Sequence, residues 1–106
     1  MKVYHATTQK NLASIQEHGL LVACADSSAK IKACWVATAS NRAWGVLHTI
    51  RKHHAQLDEV VVIEIDVPRS WLARFRTGLW YCAQDIPATR IGEVTEGTMF
   101  SLSASE

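Results

Sequence analysis

At positions 60–67 the sequence reads Val60-Val61-Val62-Ile63-Glu64-Ile65-Asp66-Val67, the stretch that decides its fold class. The continuous apolar start is typical of a central β-strand, and the later alternation indicates that one face meets solvent. Pro68 ends the strand, because proline has no backbone N–H to donate to a sheet. Weaker strand patterns precede and follow it, at residues 2–6, 33–38, 79–83 and 90–95.

Two helices are predicted between these strands. The first covers residues 9–18 and stops at Gly19, a residue that readily ends a helix. The second covers residues 41–53 and is capped by Ser40. Its buried face is defined by apolar residues at spacings of three and four, namely Ala43, Val46, Leu47 and Ile50.

The order of these elements places helices early and strands late, which favours an α+β fold. Residues 70–74 are predicted to add one helical turn. The whole chain, 1–106, is expected to form one domain, whose tail at 96–106 either adds a last strand or frays. Neither a Rossmann nor a P-loop glycine motif occurs in the sequence.

Composition and charge limit the classes of function. The chain has 106 residues and a formal net charge of +1, so electrostatic recognition must be local. No stretch reads as a leader or a membrane span, and the three cysteines form no close pair in sequence, which favours reduced thiols in the cytoplasm. Cys and His never fall at ligand spacing, so no metal is predicted.

Three short motifs follow one another along the chain. The first is Tyr4-His5-Ala6-Thr7-Thr8, which leads into a helix that closes with His18-Gly19-Leu20. The second is Ala33-Cys34-Trp35-Val36-Ala37-Thr38, followed by a helix carrying Ala43-Trp44. The third is Asp85-Ile86-Pro87-Ala88-Thr89-Arg90-Ile91. In this order the motifs resemble ADP-ribosyltransferase-like proteins, a superfamily that includes DNA-modifying toxins, RNA 2′-phosphotransferases and poly-ADP-ribose polymerases.

The resemblance implies two small antiparallel or mixed sheets that form a cleft with the two helices. It implies NAD as substrate, transfer of ADP-ribose or cleavage of NAD, and DNA or RNA as an acceptor. By resemblance, His5 binds the adenosine-side ribose and belongs to the catalytic set, and Thr7 contacts the nicotinamide or its ribose. Trp35 stands where the family's stacking aromatic falls, and Tyr4 flanks the same strand end.

One departure concerns the catalytic carboxylate. Many of these transferases place a Glu at the start of a late strand, where it stabilises an oxocarbenium-like ribose. This chain has Leu79-Trp80-Tyr81-Cys82 there. Gln84 and Asp85 are the nearest substitutes, and Glu64 is a weaker one. Trp80 and Tyr81 point to opposite faces of their strand, so one of them is expected to face the cleft or solvent.

Phosphotransferases of this fold lack that Glu and use several basic residues instead. Arg42, Arg74, Arg76 and Arg90 are the candidates for such a set, and the first three are also candidates for clamping a pyrophosphate through their forked donors.

Each candidate also has a purely structural interpretation. His5 is either a ligand contact or a hydrogen-bonded core residue, and Thr7, like Thr8, is able to cap the first helix. Trp35 either stacks on a ligand or packs in the core, and Asp85 either serves the site or organises its turn. The basic residues 51–54 either end a helix, where cations favour its dipole, or contact nucleic acid.

Four functions therefore stay open: an NAD-dependent transferase, a catalytically degenerate module that binds a nucleotide, ADP-ribose or nucleic acid, an RNA 2′-phosphotransferase, and a structural partner of another protein.

Overall fold

The computed structural model describes residues 1–22 and 33–97. Within them lie six strands and two helices. The strands are β1 (Lys2–Thr8), β2 (Cys34–Ala37), β3 (Val60–Asp66), β4 (Leu72–Arg76), β5 (Leu79–Cys82) and β6 (Ile91–Glu96), and the helices are α1 (Gln9–His18) and α2 (Arg42–His53). The loop at 26–30 and the tail from 98 onward, including its predicted last strand, fall outside the described residues, as does Cys24.

All six strands belong to one antiparallel sheet in the order β4-β5-β2-β1-β3-β6. The resemblance implied two small sheets, and the described strands instead remain continuous. The reason is a single backbone pairing, Tyr4 with Ala37, which joins β1 to β2. Three strands lie on each side of this pairing, so the sheet consists of two three-stranded ladders that meet at one residue pair.

The two helices cover opposite faces of the sheet. Ile15 of α1 packs in one buried cluster with Val3 and Ile63. Val46 of α2 packs in a separate cluster with Val62. We call these sides the α1 face and the α2 face. Because successive side chains of a strand point to opposite faces, odd-numbered residues of β1 lie on the α1 face and even-numbered ones on the α2 face.

The predicted helical turn at 70–74 is wrong for most of its length. A short 3-10 turn covers Arg69–Trp71, and the chain then continues as the edge strand β4. The pattern failed because β4 pairs with one neighbour only and exposes Arg74, Phe75 and Arg76. A mostly solvated strand carries little of the apolar alternation on which strand prediction depends.

Two predicted helix caps also differ from the structure. Thr8 occupies the N-cap position of α1, yet its hydroxyl makes no capping hydrogen bond, and its Oγ1 is buried with no partner among the described residues. Ser40 lies in a 3-10 turn that precedes α2, where its Oγ is 3.1 Å from Oγ1 of Thr38, and Asn41 takes the N-cap position instead. The helix starts are therefore set by packing rather than by side-chain caps.

The two described cysteines become neighbours only in the folded chain. Cys34 and Cys82 lie directly opposite each other on β2 and β5, and both are buried. Both Sγ atoms approach the backbone oxygen of Gln84, at 3.8 Å and 3.3 Å. Both therefore act as small buried side chains with weak S–H donors, as predicted. Among the described residues, no helix is long and apolar enough to cross a membrane.

Gly19 is required where α1 ends, as predicted. Its φ is +80°, and a Cβ there would lie 2.0 Å from the backbone oxygen of Ile86. Gly19→Ala is therefore expected to lower the free energy of unfolding by about 3 kcal/mol, from the left-handed backbone and the overlap together. Gly92→Ala is the control, because the nearest atom to its Cβ would be 3.6 Å away. Urea unfolding followed by circular dichroism measures both, and equal stabilities of the two variants would contradict this role.

Candidate functional site

The candidate site lies where β1 and β2 separate. Beyond the Tyr4–Ala37 pair, continued antiparallel pairing would set Ala6 opposite Trp35, but no further pair forms. The backbone oxygen of Trp35 instead accepts a hydrogen bond from Nδ1 of the His5 side chain, at 2.7 Å. An imidazole thus replaces a backbone N–H as the link between the two ladders, and the strands spread apart next to it.

The hydrogen bond fixes the tautomer of the His5 ring. A carbonyl oxygen only accepts, so Nδ1 carries the hydrogen, and in the neutral ring Nε2 is left as an acceptor. Burial lowers the pKa of His5 below its ordinary value; the hydrogen bond to Trp35 opposes this effect, and the positive charge of Lys52 adds to it. His5 is therefore a neutral imidazole near pH 7.

A cavity of about 470 Å³ occupies the opening between the two strands. Ligand-binding pockets of proteins usually measure about 300–1,000 Å³. The sheet and Leu20 supply apolar walls. One rim is formed by α1 with small polar side chains, Asn11 and Ser14, beside Thr7, and the other rim is formed by α2. The cavity therefore has one rim on the α1 side that is rich in hydroxyl and amide groups, and a second rim that α2 forms.

The α2 rim is aromatic and basic. Trp44, His48 and Lys52 follow one another at four-residue spacing and line the cavity together with His53. The rings of Trp44 and His48 are stacked, with centroids 5.1 Å apart and planes 10° apart. Among the described lining residues there is one lysine and three histidines but no Asp or Glu. Such a lining favours a ligand that carries negative charge.

Four predicted residues line this cavity: Tyr4, His5, Thr7 and Trp35. The Thr7 hydroxyl is buried and accepts a hydrogen bond from Nδ2 of Asn11, at 3.4 Å. It does not cap α1. The first sequence motif, Tyr4-His5-Ala6-Thr7, therefore forms a strand end whose residues line one cavity.

The Trp35 ring lies away from the His5 ring. By register the indole lies on the α2 face, whereas the His5 ring lies on the α1 face. The two residues meet through the Trp35 backbone, and the indole packs against Phe75 and Tyr81, with ring centroids 5.2 Å and 5.3 Å away. The indole is thus held in an aromatic cluster on the α2 face rather than opposite the imidazole.

Two predicted arginines lie next to the cavity without lining it. The guanidinium of Arg42 sits 4.9 Å from the ring centroid of Tyr4, and that of Arg76 sits 5.2 Å from the ring of Trp44. Both rings belong to the cavity wall. Arg42 and Arg76 therefore add positive charge behind the aromatic rim, at cation–π distance.

The other two arginines lie elsewhere. Arg74 donates to the hydroxyl of Thr77 at 3.1 Å, within the β4–β5 hairpin. The guanidinium of Arg90 lies 5.1 Å from the ring of Trp71, a residue that packs against the α1-face core. The four arginines proposed to surround one phosphate do not converge.

The predicted residues of the late strand do not line the cavity either. Trp80 packs against the α1-face core with Arg69 4.3 Å from its ring, and Tyr81 lies on the α2 face beside Trp35. Their opposite orientations are as predicted.

The substitutes for the missing Glu hold the fold together instead. Asp85 Oδ1 accepts a hydrogen bond from the backbone N–H of Val22 at 2.8 Å, so it ties its turn to the segment after α1. The backbone oxygen of Gln84 faces the two thiols. Glu64 forms an ion pair with Lys2 at 3.3 Å on the sheet surface. No carboxylate of residues 1–22 or 33–97 lines the cavity.

Sequence reasoning missed the residues that the helices bring to the site: Asn11, Ser14, Trp44, His48, Lys52 and His53. The sequence did carry a signal for the α2 residues of the site. Residues 44, 48 and 52 share one helix face, and residues 45, 49 and 53 share an adjacent one. Gly45 lies on the second of these faces, where a Cβ would be in ordinary van der Waals contact with the Cβ of Ala6, at 3.4 Å, so α2 packs directly on β1.

Comparison with known proteins does not extend this description. No protein-family model matches the chain, and no curated protein sequence matches it significantly. Within the described residues, no group of three or more His, Cys, Asp or Glu side chains is arranged to hold a metal ion. The site is therefore interpreted from its own geometry and charge.

The burial of His5 makes the stability of the protein depend on pH. Because the pKa of His5 is lower in the folded chain than in the unfolded chain, its contribution is complete above the ordinary pKa of about 6.5 and is lost as the pH falls below it. His5→Asn, which keeps a donor but does not titrate, is expected to reduce the loss of stability between about pH 7 and pH 5. Urea unfolding at each pH measures it.

His54→Asn provides the matched control. His54 is exposed at the end of α2 with φ of +51°, a conformation that Asn tolerates well. The control should keep the pH dependence of the unmodified protein. If both variants change the pH dependence equally, His5 is not the group responsible.

Proposed function

We propose that the cavity between β1 and β2 binds an NAD-type nucleotide, either NAD or ADP-ribose, as the sequence resemblance implied. The observation that carries the proposal is the charge of the lining, in which Lys52 and histidines face the cavity and no described carboxylate does. A pyrophosphate is a compact anion that such a lining attracts, whereas a cationic ligand would meet no counter-charge.

The chemistry of the two rims fits the parts of a dinucleotide. On the α2 rim, Lys52 and His53 supply donors for phosphate oxygens. On the α1 rim, Thr7, Asn11 and Ser14 supply the hydroxyl and amide groups that bind ribose hydroxyls. The indole of Trp44 provides a flat surface for a base at the mouth of the cavity.

Binding without turnover is the function that the geometry supports best. Cleavage of the nicotinamide–ribose bond calls for a group that stabilises positive charge on the ribose, and carboxylates perform this role in related chemistry. Gln84, Asp85 and Glu64 do not line the cavity. The phosphotransferase alternative has no support from the arginines, because Arg74 and Arg90 lie away from the cavity.

A charge-neutralising substitution tests the proposed phosphate contact. Lys52→Gln is expected to weaken binding of NAD and ADP-ribose about tenfold, because one charge-assisted hydrogen bond is lost. Arg51→Gln is the matched control, since Arg51 is exposed on the same helix but does not line the cavity. Isothermal titration calorimetry of the two variants and the unmodified protein gives the three dissociation constants.

Three results would decide the matter. The proposal requires a measurable affinity for at least one of the two nucleotides and a larger loss for Lys52→Gln than for Arg51→Gln. Absence of binding by the correctly folded protein would refute it. In parallel, mass spectrometry of protein incubated with NAD should find no nicotinamide; its release would restore the transferase as the function.

A further inference from the structure

A surface on the α2 face adjoins the cavity and shares Trp44 and His48 with it. We call it the aromatic–arginine surface and define it by Arg42, Trp44, His48, Phe75 and Arg76. Arg76 of β4 lies over Trp44 of α2 at 5.2 Å, and Trp44 stacks on His48 at 5.1 Å. The β4–β5 hairpin and α2 therefore form one continuous patch rather than two separate ones.

The aromatic rings of this surface face solvent. Trp44 is 37% exposed and Phe75 is 55% exposed. Phe75 contacts the Trp35 ring edge-on, with planes 88° apart, so one ring supports another while its own surface stays accessible. Large aromatic side chains are seldom left in solvent when the core has room for them, and neighbouring exposed aromatics mark binding surfaces.

The charge of the chain is divided between two regions, although the net charge is only +1. The segments 33–57 and 67–84, which build β2, α2, β4 and β5, contain none of the ten Asp and Glu residues. They contain six of the eleven Lys and Arg residues: Arg42, Arg51, Lys52, Arg69, Arg74 and Arg76. Of these residues, Arg69 and Arg74 lie on the α1 face. Arg42 and Arg76 lie over rings of the α2 face, where a polyanion would meet positive charge.

We propose that the aromatic–arginine surface binds single-stranded nucleic acid. Bases would stack on Phe75, and phosphates would pair with Arg42 and with Arg76, which Trp44 supports from below. The combination of accessible aromatic rings with arginines is the means by which single strands are bound without sequence preference. Phe75 and Arg76 do not line the cavity, so this proposal does not rest on nucleotide binding there.

The rings distinguish a single strand from other polyanions. An acidic peptide would use the arginines but would gain little from flat, exposed rings. A duplex keeps its bases stacked on one another, so only its phosphates would reach the surface. A single strand uses both features, because each unpaired base has a π-face for an aromatic side chain.

The test measures fluorescence anisotropy with a fluorescein-labelled oligothymidylate of about 15 nucleotides, a length within the usual site sizes. The oligouridylate of equal length tells whether RNA and DNA bind alike. Phe75→Ala and Arg76→Gln are each expected to weaken binding about tenfold. Arg76→Gln should also reduce the slope of log affinity against log salt by about one, because one phosphate contact is lost.

The chain offers a matched control for the arginine. Arg90 lies over Trp71 at 5.1 Å, which is almost the geometry of Arg76 over Trp44, but on the α1 side of the molecule. Arg90→Gln should change affinity less than twofold. Phe75→Tyr, which keeps the ring, should restore the affinity lost in Phe75→Ala, and thermal unfolding checks that every variant is folded.

The outcomes separate the alternatives. Weaker binding for Phe75→Ala and Arg76→Gln, with Arg90→Gln and Phe75→Tyr unaffected, supports the surface. Equal losses for Arg76→Gln and Arg90→Gln, or equal affinity for a duplex of the same length, would overturn it, as would equally strong competition by polyglutamate. Unchanged affinity of Phe75→Ala for NAD separates this surface from the cavity.

Discussion

The hydrogen bond from the His5 imidazole to the Trp35 backbone oxygen is the constraint on which the site depends. With one backbone pair joining β1 to β2, the two ladders would otherwise be free to close or to separate further. A side chain is longer than a backbone N–H, so this bond holds the strands together at a greater spacing. Burial keeps the ring neutral, with a hydrogen on Nδ1 and an acceptor at Nε2.

The spread strands give the cavity its two chemically different rims. Because α1 and α2 pack on opposite faces of one sheet, an opening between two central strands is reached by both helices. Hydroxyl and amide groups come from one side and basic and aromatic groups from the other. Gly19 turns the chain after α1 toward Ile86, which helps to set the position of the α1 rim.

Prediction from sequence succeeded where the relevant contact was local. The strand end Tyr4-His5-Ala6-Thr7 does face a cavity, and the bounds of α1 are as expected. It failed where position depends on distant packing. Arg74 and Arg90 are ordinary arginines in sequence, and only the sheet order places them away from the site. Of the two edge strands, β6 was predicted and β4 was missed, because the sequence of β4 was interpreted as a helical turn.

The sequence by itself determined the α+β class, most of the strands and helices, and the distribution of charge along the chain, because each follows from local periodicity and composition. The tertiary structure alone decided that the strands form one sheet, that His5 meets the backbone rather than the ring of Trp35, and that α2 supplies the basic rim. Register and strand order bring together residues far apart in the chain, and no local pattern encodes those distances.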